Sequence, residues 1–184
     1  MTSVSTAIGN TITNPLWFME PDNPYKLNPL TRRIVQIAFA AMSVLCLVAL
    51  FRAATGMAAY HPSIRNIAIV IHVITVLPCI PLGAYLLLAP KGTARHKMLG
   101  KIWGMLMVTT AVAITFVRGG THFSWIHIFV PITLIGVYKI IKTAREGDIA
   151  AHRNQVVGLY LGALMIPGAF SFMPSRLMGT WLFG

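Results

Sequence analysis

Residues 67–89 constrain this chain more than any other stretch. The run is apolar and carries no formal charge between Arg65 and Lys91. About 20 such residues cross the hydrocarbon of a bilayer as a helix. Helix is the conformation expected of such a segment, because no water is present there to satisfy backbone groups. His72 lies well inside the run, and Pro78 and Pro81 follow it. An imidazole in lipid is costly and marks a candidate functional site. The question is whether another histidine lies at its depth.

Composition removes the soluble alternative. The 184 residues are 56% hydrophobic and 10% charged, against about 25% charged in soluble domains. The net charge of +11 would suggest nucleic acid on a soluble protein. Here the cations sit in short connections between apolar runs, where they set topology and touch lipid headgroups. No nucleic-acid partner is expected. Cys46 and Cys79 lie within apolar runs and read as small buried hydrophobes. Residues 1–30 lack the basic start and early apolar core of a signal peptide. Targeting would use the first spanning helix.

The expected fold is all-α: an integral membrane bundle of five helices. A polar arm, 1–33, is rich in turn-forming pairs such as Asn14-Pro15, Asn23-Pro24 and Asn28-Pro29. Trp17 and Phe18 in it suit a membrane surface, although a loose tail explains them as well. The membrane domain, 34–184, has spans expected at 34–51, 67–89, 98–117, 123–141 and 153–173. The third is expected to reach back toward Arg95. Five spans put the termini on opposite sides. Eleven cations then fall on the side of Lys26, Lys91 and Arg153, and four on the side of Arg52, Arg65, Arg118 and Arg176. The positive-inside rule places the N-terminus in the cytoplasm and the C-terminus outside. The expected location is the bacterial cytoplasmic (inner) membrane. Gly100-x-x-x-Gly104 and Gly158-x-x-x-Gly162 predict close helix approach, or room for a flat cofactor.

The histidines fall into two layers on this topology. His72 and His127 sit on the second and fourth spans toward the outer side. His96 and His152 begin the third and fifth spans near the inner side. At 1.5 Å per residue the layers stand about 20 Å apart. Iron held by two imidazoles has no open position and carries electrons. Arg65 and Arg118 would face haem propionates in the outer layer, and Lys91, Arg95, Lys97 and Arg153 in the inner one. Pro131 cannot donate to the His127 carbonyl, so a bend is expected there. The four acids form no catalytic pair, and no nucleophile triad, phosphate loop or dinucleotide fingerprint is present.

Two resemblances follow. The stretch from Pro90 through Arg95-His96-Lys97, Gly100-Lys101 and Trp103 resembles the HRxxGRxW signature of a bacterial membrane family, domain of unknown function 2306. Lys97 and Lys101 stand where that signature has arginine. Gly147-Asp148 through His152-Arg153, and the segment from Pro174 to Gly184, fit the same family, so the resemblance covers about residues 66–184. The architecture is also similar to transmembrane di-haem b cytochromes. That likeness implies one haem b held by His72 and His127 and a second by His96 and His152.

The expected function is therefore transmembrane electron transfer, an oxidoreductase role with no protein catalytic residue. Donor and acceptor are left open. One rival is a non-catalytic accessory subunit of a larger membrane complex, in which the histidines only bond neighbouring helices. Another is an outer-face copper or zinc site built from His61, His72, His122 and His127. A proton-coupled transporter fits least, because no acid lies in a span.

Overall fold

A computed structural model describes residues 26–117 and 125–184. The arm with Trp17 and Phe18, and the positions Arg118 and His122, lie outside the described residues. Among the described residues the structure is helical, with no strand. The helices are α1 (Pro29–Ala54), α2 (Ile67–Leu88), α3 (Ala94–Thr115), α4 (Phe129–Glu146), α5 (Ile149–Gly158), α6 (Ile166–Phe170) and α7 (Leu177–Phe183). A π-helical segment, Leu159–Met165, joins α5 to α6, and short 3₁₀ turns occupy Pro62–Arg65 and Trp125–Ile128. Among the described residues, four helices are long and apolar enough to cross a membrane: α1, α2, α3, and α4 with the turn before it. That is the make-up of a multi-pass membrane protein. Leu30, Ile37, Leu47 and Phe51 are exposed along α1. An apolar face of that kind suits lipid rather than water.

Helix ends follow local chemistry more closely than hydropathy does. The first helix starts five residues earlier than expected. The Asn28 side chain accepts from the Leu30 N–H at 3.1 Å, and Pro29 opens the helix. Asn28-Pro29 is thus a start signal rather than part of a loose arm. Thr93 accepts from the His96 N–H at 3.1 Å and starts α3 at Ala94. Gly147, at φ +76, ends α4, and Asp148 then caps α5 by accepting from Ala151 at 2.9 Å. The fourth helix is displaced relative to the expected 123–141. Pro131 consequently lies in its first turn, where its N–H would have no helical partner anyway. The expected bend at Pro131 has no basis there.

The core gathers where α2, α3 and the π segment meet. Trp103, Tyr160, Leu87, Met107, Val35 and Cys79 are the largest fully buried side chains. Pro78 and Pro81 remove two donors from the α2 ladder. Beside them, the Trp103 indole N–H donates to the Cys79 carbonyl at 3.0 Å, and the Tyr160 hydroxyl donates to the Ile80 carbonyl at 3.2 Å. Gly83 makes this approach possible. A Cβ there would lie 2.6 Å from Tyr160 Cδ2 and 2.8 Å from Trp103 Nε1.

The expected glycine motifs do not carry the packing. A Cβ at Gly100, Gly158 or Gly162 would meet nothing within 4 Å, and one at Gly104 only Val137 at 3.8 Å. Tight approaches to another helical segment are instead at Gly83, and at Gly136 against Leu159 (2.7 Å), while Gly179 sits against the Met173 backbone. Gly158 instead borders a hollow of about 290 Å³ between α4 and α5.

After the fifth helical stretch the chain turns back into α7, a helix that hydropathy alone did not reveal. Arg52 at the end of α1 holds it. Its guanidinium donates to the carbonyls of Trp181 (3.0 Å), Gly184 (2.6 Å) and Met57 (3.2 Å). The Trp181 and Gly184 carbonyls lie at the end of α7, where a cation is attracted.

Candidate functional site

A cavity of about 590 Å³ opens between the helices, within the range of small-ligand and cofactor sites. All four candidate spans and the π segment contribute to its wall: Met42 from α1, His72 from α2, Thr110 from α3, Val130 from α4 and Leu164 from the π segment. His72 and His127 line it together, although α2 packs mainly on α3. His127 does not sit a turn inside the fourth helix as expected. It occupies the 3₁₀ turn just before α4.

The π segment helps shape this space. Pro167 cannot donate to the carbonyl of Ala163, and the Ile166 N–H reaches back to Leu161. The widened turns place Ala163 and Leu164 on the cavity wall, with Pro167 and Gly168 following. π turns are frequent at functional sites.

Hydrogen bonds assign the proton on each imidazole, because a carbonyl only accepts. His72 Nδ1 lies 3.1 Å from the Thr110 carbonyl and 2.8 Å from its hydroxyl. Thr110 in turn donates to the His72 carbonyl at 3.2 Å. The proton is therefore on Nδ1, and Nε2 keeps its lone pair. His152 Nδ1 donates to the Ile140 carbonyl at 3.0 Å, with the same consequence. His127 is the reverse: Nε2 donates to the Val117 carbonyl at 3.0 Å. His61 Nδ1 accepts from the Ser63 N–H at 3.2 Å, so its proton is on Nε2.

Metal-binding histidines usually donate one ring N–H to a carbonyl and offer the other nitrogen to the metal. His72 and His152 match that pattern for Nε2 ligation. His127 would match it for Nε2 ligation only after its ring leaves Val117. His96 and His152 lie within electrostatic range of each other at the opposite end of the bundle, and Lys91 acts on His96 as well. The Nδ1 of His96 is buried without a hydrogen-bond partner.

The cations distribute differently from expectation. Arg65 stacks over Tyr60 at 5.7 Å and is not among the residues lining the cavity, whereas Arg176 is. Arg95 lies over the Tyr85 ring at 6.0 Å. Lys91 donates to the Leu87 carbonyl at 2.9 Å, and Arg153 to the Lys26 carbonyl at 2.7 Å. Among the described residues, no three His, Cys, Asp or Glu side chains come close enough to hold a metal ion.

Sequence reasoning missed Thr110, the buried residue that fixes the His72 tautomer. The signal was a hydroxyl pair, Thr109-Thr110, within an apolar span. His61, named above only for the rival copper or zinc site, also lines the cavity.

No family model matches the chain, and neither the curated proteins nor the solved structures give a match.

Proposed function

We propose that the chain is a five-span b-type haem protein of the bacterial cytoplasmic membrane, with its N-terminus inside, that passes electrons across or along the bilayer. In the same reading it belongs with domain of unknown function 2306. The α5–π–α6 stretch serves as the fifth span. One observation carries the reading: His72 and His127, from separate elements, line one large cavity, and the Nδ1–H of His72 is spent on Thr110. His72 is the principal ligand, and His127 completes the pair once its ring nitrogen is released from Val117. His96 and His152 form the second, inner pair. A haem held by two imidazoles supplies one-electron transfer without an open coordination position. Arg176 at the cavity wall provides a cation for a carboxylate. Apolar side chains around His72 keep water away from its free nitrogen.

The purified protein, prepared from cells supplied with haem, tests this directly. The expected result is a reduced-minus-oxidised difference spectrum with the sharp bands of low-spin haem. Folded, helical protein without those bands overturns the reading.

A second reading has its own support. Three of the four ligand candidates already satisfy a ring nitrogen on a carbonyl: His72 on Thr110, His127 on Val117 and His152 on Ile140. Such bonds tie segments together in any membrane bundle. They suit an accessory subunit of a larger complex, which a stable co-purifying partner without chromophore would reveal. The copper or zinc reading has no three-ligand grouping behind it among the described residues.

A further inference from the structure

Residues 171–184 fold back over one end of the cavity. Ser171, Phe172, Ser175, Arg176, Leu177 and Met178 all line that space. Ser175 and Arg176 are at the same time exposed, so this segment is a thin wall between the cavity and its surroundings. Its internal bonds are its own. The Gly179 N–H donates to the Ser171 carbonyl at 3.1 Å, and the Arg176 N–H to the Met173 carbonyl at 2.9 Å. The Thr180 hydroxyl donates to the Pro174 carbonyl at 3.2 Å. Gly179 lies against the Met173 backbone with no room for a Cβ. A segment bonded to itself in this way can move as one body.

Its attachment to the bundle is narrower. A neck, residues 167–170, joins it to the π segment. There the Ser171 N–H is shared between the carbonyls of Pro167 (3.2 Å) and Gly168 (3.1 Å). Beyond the neck, and among the described residues, its hydrogen bonds to the rest of the chain all come from Arg52. That guanidinium reaches the Trp181 carbonyl at 3.0 Å and the Gly184 carbonyl at 2.6 Å. It also holds the Met57 carbonyl at 3.2 Å, in the connection that follows its own helix. Arg52 is thus kept in place from the α1 side and grips the far end of the segment. The remaining hold is apolar: Phe172 and Met178 are buried, and Trp181 and Leu182 pack on the core. Elements with few ties open at lower cost than the fold as a whole, and lids over ligand sites are drawn from them.

We propose that residues 171–184 are a hinged cap on the cavity, turning at the neck and latched by Arg52, and that its opening admits the cavity's ligand. The proposal rests on the cavity and its walls, not on haem being that ligand.

Cys46 reports on the cap directly. It lines the cavity and is buried, whereas Cys79 is fully buried and is not among the lining residues. The full chain, prepared without haem in nanodiscs, is treated with a water-soluble methanethiosulfonate, and each cysteine is followed by peptide mass spectrometry. Arg52→Gln should speed modification of Cys46 by about tenfold or more, the measure of lost charge-assisted hydrogen bonds. Cys79 should stay as slow as in the wild type, and the helical circular dichroism should be retained. Trp181→Ala, on the cap itself, should also speed Cys46 alone, and it decides the matter if Arg52→Gln fails to fold. Unchanged Cys46 reactivity in the folded variant overturns the proposal. So does a parallel rise at Cys79, which reports loosening of the whole bundle. The readout needs no chromophore, so its failure and the failure of the haem reading are distinct results.

Discussion

The two ends of this bundle treat their histidines in opposite ways. Around the cavity, His72 and His127 stand among apolar side chains, and backbone carbonyls fix their tautomers. At the basic end, His96 and His152 stand among Lys91, Arg32 and Arg153. In the first environment the carbonyl bonds decide which ring nitrogen is left to meet a metal. The second is a basic surface, and its histidines lie in the opening turns of helices. A pair of ligand candidates at each end therefore does not mean equal roles.

Replacing His72 gives the largest expected effect. His72→Ala should abolish the cavity's low-spin haem signal in the reduced-minus-oxidised spectrum, whereas His152→Ala should leave that component in place. The reverse outcome would move the principal ligand to the basic end and break the contrast. Next comes the junction that couples both ends. Gly83→Ala drives a methyl group into Tyr160 and Trp103. Overpacking of this kind costs about 1–3 kcal/mol, so the thermal midpoint in detergent should fall clearly. Gly100→Ala, with open space around it, should leave the midpoint unchanged or slightly raised.

Two smaller effects sharpen the comparison. Thr110→Val removes the hydroxyl that bonds His72. Hydrogen bonds between membrane helices contribute about 0.6 kcal/mol on average, so stability should drop only a little. If haem is bound, its midpoint potential should shift at the same time, because the bonds behind a ligand tune the metal. At the basic end, Lys91 has a folded-state pKa below its unfolded value. Between those two values the unfolded chain binds more protons, so stability rises with pH through that window. Lys91→Gln should flatten this part of the pH–stability profile.

Much of the architecture was legible because lipid permits few solutions. Apolar length identified the four spans at α1 to α4, and the Thr93 cap agrees with the early start foreseen for the third. The misses came from chemistry that hydropathy does not weigh. Asn28-Pro29 read as a turn but acts as a cap. Glycine spacing pointed to residues 100, 104, 158 and 162, whereas the close approach is at Gly83, which no motif flagged. That approach depends on aromatic donors arriving from two other helices, and such pairing has no signature in a single sequence. At the cavity the histidine types were visible, but the Thr110 partnership was not. The tautomer of His127 depends on a carbonyl ten residues earlier in the chain.

The π segment has a consequence for the whole fifth stretch. Each α-helical residue turns the chain by about 100°, so a wider coil in mid-course resets the angular phase of everything after it. Tyr160 can then point at α2 while Gly168, one side of whose backbone faces Met42, addresses α1. One continuous rod would have had to choose between those neighbours. Shortening the loop of coil by a single residue would bring its two halves back into step, and the stretch would lose one of its two docking directions.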